Sequence, residues 1–250
     1  MMKQTIQNLH QAAQYLAAAG ISFLEKKSDD SHTNVGWNKA ENRMETHVFG
    51  DKNQLGVNLN TAKIEWLNNG SVTSDIELNS KNHNEIVLWI SDQAKQNNIS
   101  QAYSYSFHYE LPYDEVTKDY TYSLDSKDLL KISNELTKAQ NTFEQFLAKQ
   151  KLESPIRVWP HHFDLGIYAE LESENTFMGA GLAIPDSLVD DFYFYASGYK
   201  NGNGIVTKNF GEMKVGEWRS DWNGATLAST NIEVENALVF LNEAKSKFNS

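Results

Sequence analysis

Cysteine is absent from the 250 residues. Its absence excludes disulfides, thiolate nucleophiles and cysteine-ligated zinc together. Proline occurs only four times, and charged residues make up 22% of the chain. That is the composition of a globular protein, not a disordered one. Arginine is confined to Arg43, Arg157 and Arg219. Either the composition favours lysine, or these three places require a rigid bidentate fork. No stretch approaches the roughly 18 apolar residues of a membrane helix. The first twenty residues end in Ala17-Ala18-Ala19-Gly20 but are broken by Gln4, Gln7, His10, Gln11 and Gln14. They do not form the continuous apolar run of a signal peptide. A cytoplasmic location is expected.

The net charge is −11, from 33 acidic and 22 basic residues. Phosphate neutralisation needs clustered cations, so this balance argues against a nucleic-acid or anionic-membrane surface, and neither is expected as a partner. A small-molecule ligand remains as the expected partner. Neither a cofactor nor an oligomeric state can be read. At this length about 70–75% of the unfolded surface can be buried, as one large domain or two small ones.

The periodicity predicts helices separated by blocks of strands. Ile6, Leu9, Ala13 and Leu16 fall at helical spacing, with Gly20 placed as a C-cap. Residues 35–78 read as an antiparallel meander, with Asn69-Gly70 as a tight hairpin turn. A helix is predicted over 84–97. From Tyr103 to Leu111, aromatic and polar residues alternate, which predicts a strand ended by Pro112. The longest helix is predicted over 127–151, capped by Ser126 or Asp125. Strands follow over 156–171, 177–184 and 192–199, with shorter ones near 212–218 and 224–228. Gly198–Gly204 reads as a turn. The last helix opens on Thr230 and Glu233, the spacing of a capping box. This order predicts an α+β fold with mainly antiparallel sheet. Its halves are residues 1–120 and 121–250, each helix–strand block–helix, together one compact unit.

The candidate chemistry centres on residues 156–171. Along one strand Trp159, His161, Phe163, Leu165 and Ile167 share one face. Val158, Pro160, His162, Asp164 and Tyr168 share the other. His162 and Asp164 would then be same-face neighbours about 6.5–7 Å apart, able to converge on a ligand, metal or water. They are the candidate catalytic pair. Pro160 cannot donate to a ladder, so a bulge or edge is expected there. His161, on the apolar face, reads as a hydrogen-bonded core histidine. Two residues do not make a metal site, because a transition metal wants a third or fourth ligand. His32 and Asp186 are further candidate ligand-binding groups. His108 and Glu110 share the polar face of their own strand. Trp218, Arg219 and Trp222 can form a stacking wall with a bidentate anion contact, or a hairpin with two core tryptophans and a surface ion pair. The chain has no nucleophile elbow, Walker A loop, helical His-Glu-x-x-His or dinucleotide fingerprint. Asp190-Asp191 face opposite ways in a strand, which suits no catalytic carboxylate pair.

The segment Val158-Trp159-Pro160-His161-His162-Phe163-Asp164-Leu165 resembles the hallmark strand of a family of uncharacterised bacterial proteins. Gly179-Ala180-Gly181 with Asp186, Tyr193-Phe194-Tyr195 and Trp222-Asn223-Gly224-Ala225-Thr226-Leu227 resemble its later elements. Asp30-Ser31-His32-Thr33-Asn34 with Gly36-Trp37 resembles its N-terminal one. Ser154-Pro155 and Phe163-Asp164-Leu165 also resemble a wider set of bacterial domains of unknown function. This chain has Ala183-Ile184-Pro185 where the relatives carry Ser-Pro-Gly, so a backbone anion nest is not expected there. The resemblance implies a grouping and a bacterial origin, but no activity. The residues themselves leave two readings. One is a polar and aromatic small-molecule pocket around His162 and Asp164. The other is a metal-dependent or His/Asp acid–base enzyme acting on a small metabolite.

Overall fold

The computed structural model describes residues 2–250. The fold is α+β, with mostly antiparallel sheets. The chain divides into two compact units, Met1–Asn134 with Val158–Phe163, and Glu135–Arg157 with Asp164–Ser250.

The first unit opens with α1 (Met2–Phe23). Its sheet follows as β1 (Gly36–Asn38), β2 (Arg43–Glu45), β3 (Asn53–Asn58), β4 (Lys63–Asn68) and β5 (Ser71–Glu77). The strands lie in chain order, each antiparallel to the next. Asn69 and Gly70 take positive φ at the β4–β5 turn, as the Asn-Gly pair predicts. α2 (His83–Gln96) begins on a capping box in which the Asn82 side chain and Glu85 satisfy each other's backbone N–H.

α1 packs on β3 and is buried almost all round. It continues past Gly20, which therefore caps nothing. A Cβ there would lie 2.4 Å from the His32 carbonyl oxygen. The glycine serves close approach of the backbones, a need that helix periodicity does not report.

Arg43 is buried on the sheet and bonded to Glu45 and Glu65 at 2.8 and 2.9 Å. Gly56 sits between Glu45 and Glu65 in register, and its missing side chain makes room for the Arg43 stem. Its guanidinium bridges the two carboxylates, with Nε and one terminal nitrogen on a single Glu45 oxygen and the other terminal nitrogen on Glu65.

The second unit contains β7 (Asp164–Glu170), β8 (Thr176–Ala183), β9 (Tyr193–Lys200), β10 (Asn203–Gly204), β11 (Glu217–Trp218), β12 (Ala225–Ala228) and α4 (Val234–Phe248). Its sheet runs β11-β12-β9-β8-β7, with β10 on β9. α4 packs against β8, β9 and β12. The expected Thr230/Glu233 capping box does not form. Glu233 is itself the N-cap without a side-chain bond, and Thr230 donates to Asp191 instead. The boundary between units falls inside α3 (Ser126–Gln150) and again around β6 (Arg157–Trp159). Asp125 caps α3, accepting from the N–H groups of Lys127 and Asp128.

Two expected strands are corrected. Residues 156–171 are not one strand but β6 and β7, separated by a turn over 160–163. Phe163 there has φ +57, which reverses the alternation that would have put His162 and Asp164 on one face. Residues 103–111 form no strand and join no sheet. Their alternation survives, with Tyr103 buried, Tyr105, Phe107 and Tyr109 half-buried, and Ser104, Ser106, His108 and Glu110 exposed. A period of two reports which side faces the body of the protein; it does not report a neighbouring strand.

Candidate functional site

The polar side chains of α1 hold two irregular segments of the first unit. His10 Nε2 lies 2.7 Å from the Pro160 carbonyl oxygen. A carbonyl only accepts, so this nitrogen carries the proton and Nδ1 accepts from the Tyr113 hydroxyl at 3.3 Å. Gln14 Nε2 donates to the same Pro160 oxygen at 2.8 Å and to the His10 carbonyl at 3.0 Å. Burial drives the His10 pKa down to about 4, against the opposing pull of the Pro160 bond. The imidazole is a neutral clamp.

What it clamps is the Trp-Pro-His-His-Phe turn. The Trp159 carbonyl accepts from the N–H groups of His162 and Phe163 at 3.2 and 2.7 Å. Phe163 is buried and stacks on His10 with ring centroids 5.1 Å apart. A bulky residue at positive φ costs about 1–2 kcal/mol, which this packing offsets. The turn leaves His162 exposed and His161 half-buried. His161 is no hydrogen-bonded core residue. Its ring stands among Trp159, Tyr109 and His162 at centroid distances of 6.0, 5.8 and 4.2 Å. Burial, aided by the neighbouring His162, lowers its pKa to about 4.

The second irregular segment, residues 101–120, runs back along α1 as a strap, from Ser22 toward Asn8. Side chains hold it instead of a ladder. The Tyr109 hydroxyl donates to Gln14 Oε1 at 2.7 Å, and the Tyr103 hydroxyl to the Tyr15 carbonyl at 3.2 Å. Tyr105 packs edge-on to His83 at 4.5 Å and against Tyr15 at 5.2 Å. Phe107 follows, 4.9 Å from Tyr105 and 5.3 Å from Tyr109. The strap walls a cleft of about 640 Å³ with Tyr105, Phe107, Tyr109, Tyr113 and Leu111, and Gln11 and His83 supply the helical side. Desolvation lowers the His83 pKa; its Nδ1 pairs with the Tyr15 hydroxyl at 2.8 Å. Desolvation raises the pKa values of Tyr105, Tyr109 and Tyr113, keeping these phenols neutral.

The remaining sequence candidates are dispersed. His32 is buried in the first unit, where Nδ1 accepts from the Lys27 N–H at 3.4 Å and burial lowers its pKa. His108 pairs with Asp30 at 3.0 Å. Asp164, Asp186, Trp218, Arg219 and Trp222 belong to the second unit, whereas His162 belongs to the first. Asp164 is buried and accepts from the Tyr195 hydroxyl. Tyr195 reaches it across glycine. Gly166, Gly181 and Tyr195 are cross-strand neighbours, and a Cβ on Gly181 would lie 2.6 Å from the tyrosine ring. Asp186 accepts from Tyr193 and from the backbone of Leu188 and Val189. Arg219 is forked onto Asp221 and bonded to Glu217, so the surface ion pair is the arrangement found. Trp218 packs on Phe210 and Phe248, and Trp222 against Tyr195. Among the described residues, no group of three His, Asp or Glu side chains could hold a metal ion.

No family model, curated protein or solved structure matches the chain.

The cleft therefore rests on its own geometry. Period-two alternation marks the aromatic residues of its wall but predicts a strand for them. His10, Gln11 and Gln14 stand out in the sequence only as breaks in an apolar run. The available signal is the set Thr5, Asn8, His10, Gln11 and Gln14, polar residues that α1 carries on its buried sides and that need partners there.

Proposed function

We propose that the chain binds a small organic molecule in the aromatic cleft of its first unit. The carrying observation is the strap. Some twenty residues without helix or strand of their own are uncommon in a compact fold, and such segments are usually binding loops or lids. This one is pinned by four tyrosines to a buried helix and walls a cleft in the size range of ligand sites, roughly 300–1,000 Å³. Flat aromatic walls with a few polar groups suit a partly apolar ligand.

Acid–base chemistry at the Trp-Pro-His-His turn is the second reading. It is favoured by the His161 and His162 rings, which make no hydrogen bond among the described residues. His161 does not line the cleft, so plain binding needs fewer assumptions.

The test is a titration with Nile red, a neutral planar dye. Wild type is expected to bind it saturably at one site, and Phe107→Ala to weaken binding about tenfold, the loss of one ring's packing. Non-saturable binding, or equal binding by the variant, would overturn the proposal.

A further inference from the structure

The walls of the cleft also indicate which ligand charge it accepts. Three carboxylates, Glu110, Asp114 and Glu115, line it beside the four aromatic rings. None of the three makes an ion pair or hydrogen bond among the described residues. No lysine or arginine lines it. His83, the one basic group in the wall, is engaged by the Tyr15 hydroxyl. The rest of the lining is apolar or neutral: Gln11, Ser106, Leu111 and Val116.

An aromatic face is the negative part of its quadrupole, and it attracts a cation set within about 6 Å of the ring centre. Carboxylates at the rim add attraction of the same sign. An anion would meet the repulsion of these carboxylates, with no fork or ammonium to receive it; the N-terminus of α2 opens at His83, but the N–H groups of His83, Asn84 and Glu85 are already taken by Tyr120, Lys118 and Asn82. A metal ion is poorly served, because the carboxylates are exposed and no three acids or imidazoles converge. A bulky, weakly hydrated ammonium fits both features. Its methyl or methylene groups can lie against the rings while its charge is balanced at the rim.

Resting on the small-molecule reading above, we infer that the cleft is specific for organic cations, with a quaternary or alkylated ammonium as the group recognised. Tyr105, Phe107, Tyr109 and Tyr113 form the aromatic wall, and Glu110, Asp114 and Glu115 set the sign.

Three near-isosteric probes separate charge from shape: choline, the neutral 3,3-dimethylbutan-1-ol and the anionic 3,3-dimethylbutanoate. Each is titrated against the Nile red complex of the full chain. Choline is expected to displace the dye at about tenfold lower concentration than the alcohol, and the carboxylate to displace it least. The triple variant Glu110→Gln, Asp114→Asn, Glu115→Gln replaces exposed groups that hold no partner, so folding is not at stake. It is expected to narrow the gap between choline and the alcohol severalfold, as raised salt should also do. If the alcohol displaces the dye as well as choline does, the cation inference is overturned and the ligand cleft stands. If the dye itself fails to bind saturably, both fall.

Discussion

His10 shows how one residue couples this structure to pH. In its ordinary state an imidazole titrates near 6.5, and in the folded chain burial holds it near 4. Between these values the unfolded chain binds a proton that the folded chain refuses. Stability is therefore full above pH 6.5 and is lost as pH falls toward 4, by about 3 kcal/mol for this residue alone. His161 acts in the same sense, with a smaller share because it is half-exposed. Urea unfolding at pH values from 7 to 4 should show a falling midpoint. In His10→Gln, which keeps an N–H for Pro160, the slope should flatten by about one proton. An unchanged slope in that variant would show that His10 does not carry the effect.

Among the elements, the strap is the least secured. Its backbone makes few hydrogen bonds, and its alternate side chains face solvent. Segments of that kind open at low free energy, well below global unfolding. Limited proteolysis of the native chain should cut first within residues 104–119. A bound ligand should slow this cut without slowing those elsewhere. Initial cleavage in the loops of the five-stranded sheet would contradict this ranking.

At the level of the whole molecule, the two units are not consecutive stretches of chain. Val158–Phe163 returns to the first unit after the chain has entered the second. This short piece pairs Val158 with Val35 and brings the Pro160 carbonyl to His10 and Gln14. A chain ending at Asn134 leaves the His10 Nε2–H unpaired, at about 1–3 kcal/mol, and takes from Gln14 one of its two acceptors. It should lack near-UV circular dichroism and dispersed amide resonances, and a peptide covering residues 155–166 should restore part of both. A truncated chain with the full native spectrum would show the return segment to be dispensable.

Local rules were sufficient for much of the architecture. Alternation and the Asn69-Gly70 turn place the five-stranded meander, and the stripe from Leu129 to Phe146 places α3, because adjacent residues supply those preferences. The absence of cysteine likewise excludes disulfides and thiolate chemistry. Other features depend on partners distant in sequence. Gly20 looks like a cap until the His32 carbonyl is seen against it, and Tyr103–Leu111 looks like a strand until its neighbours prove to be helices. His162 and Asp164 share a face in any unbroken strand; the turn clamped by His10 and Gln14 separates them. The cleft belongs to this second kind. Its walls come from a helix near the start of the chain and a strap some ninety residues later, and only packing brings them together.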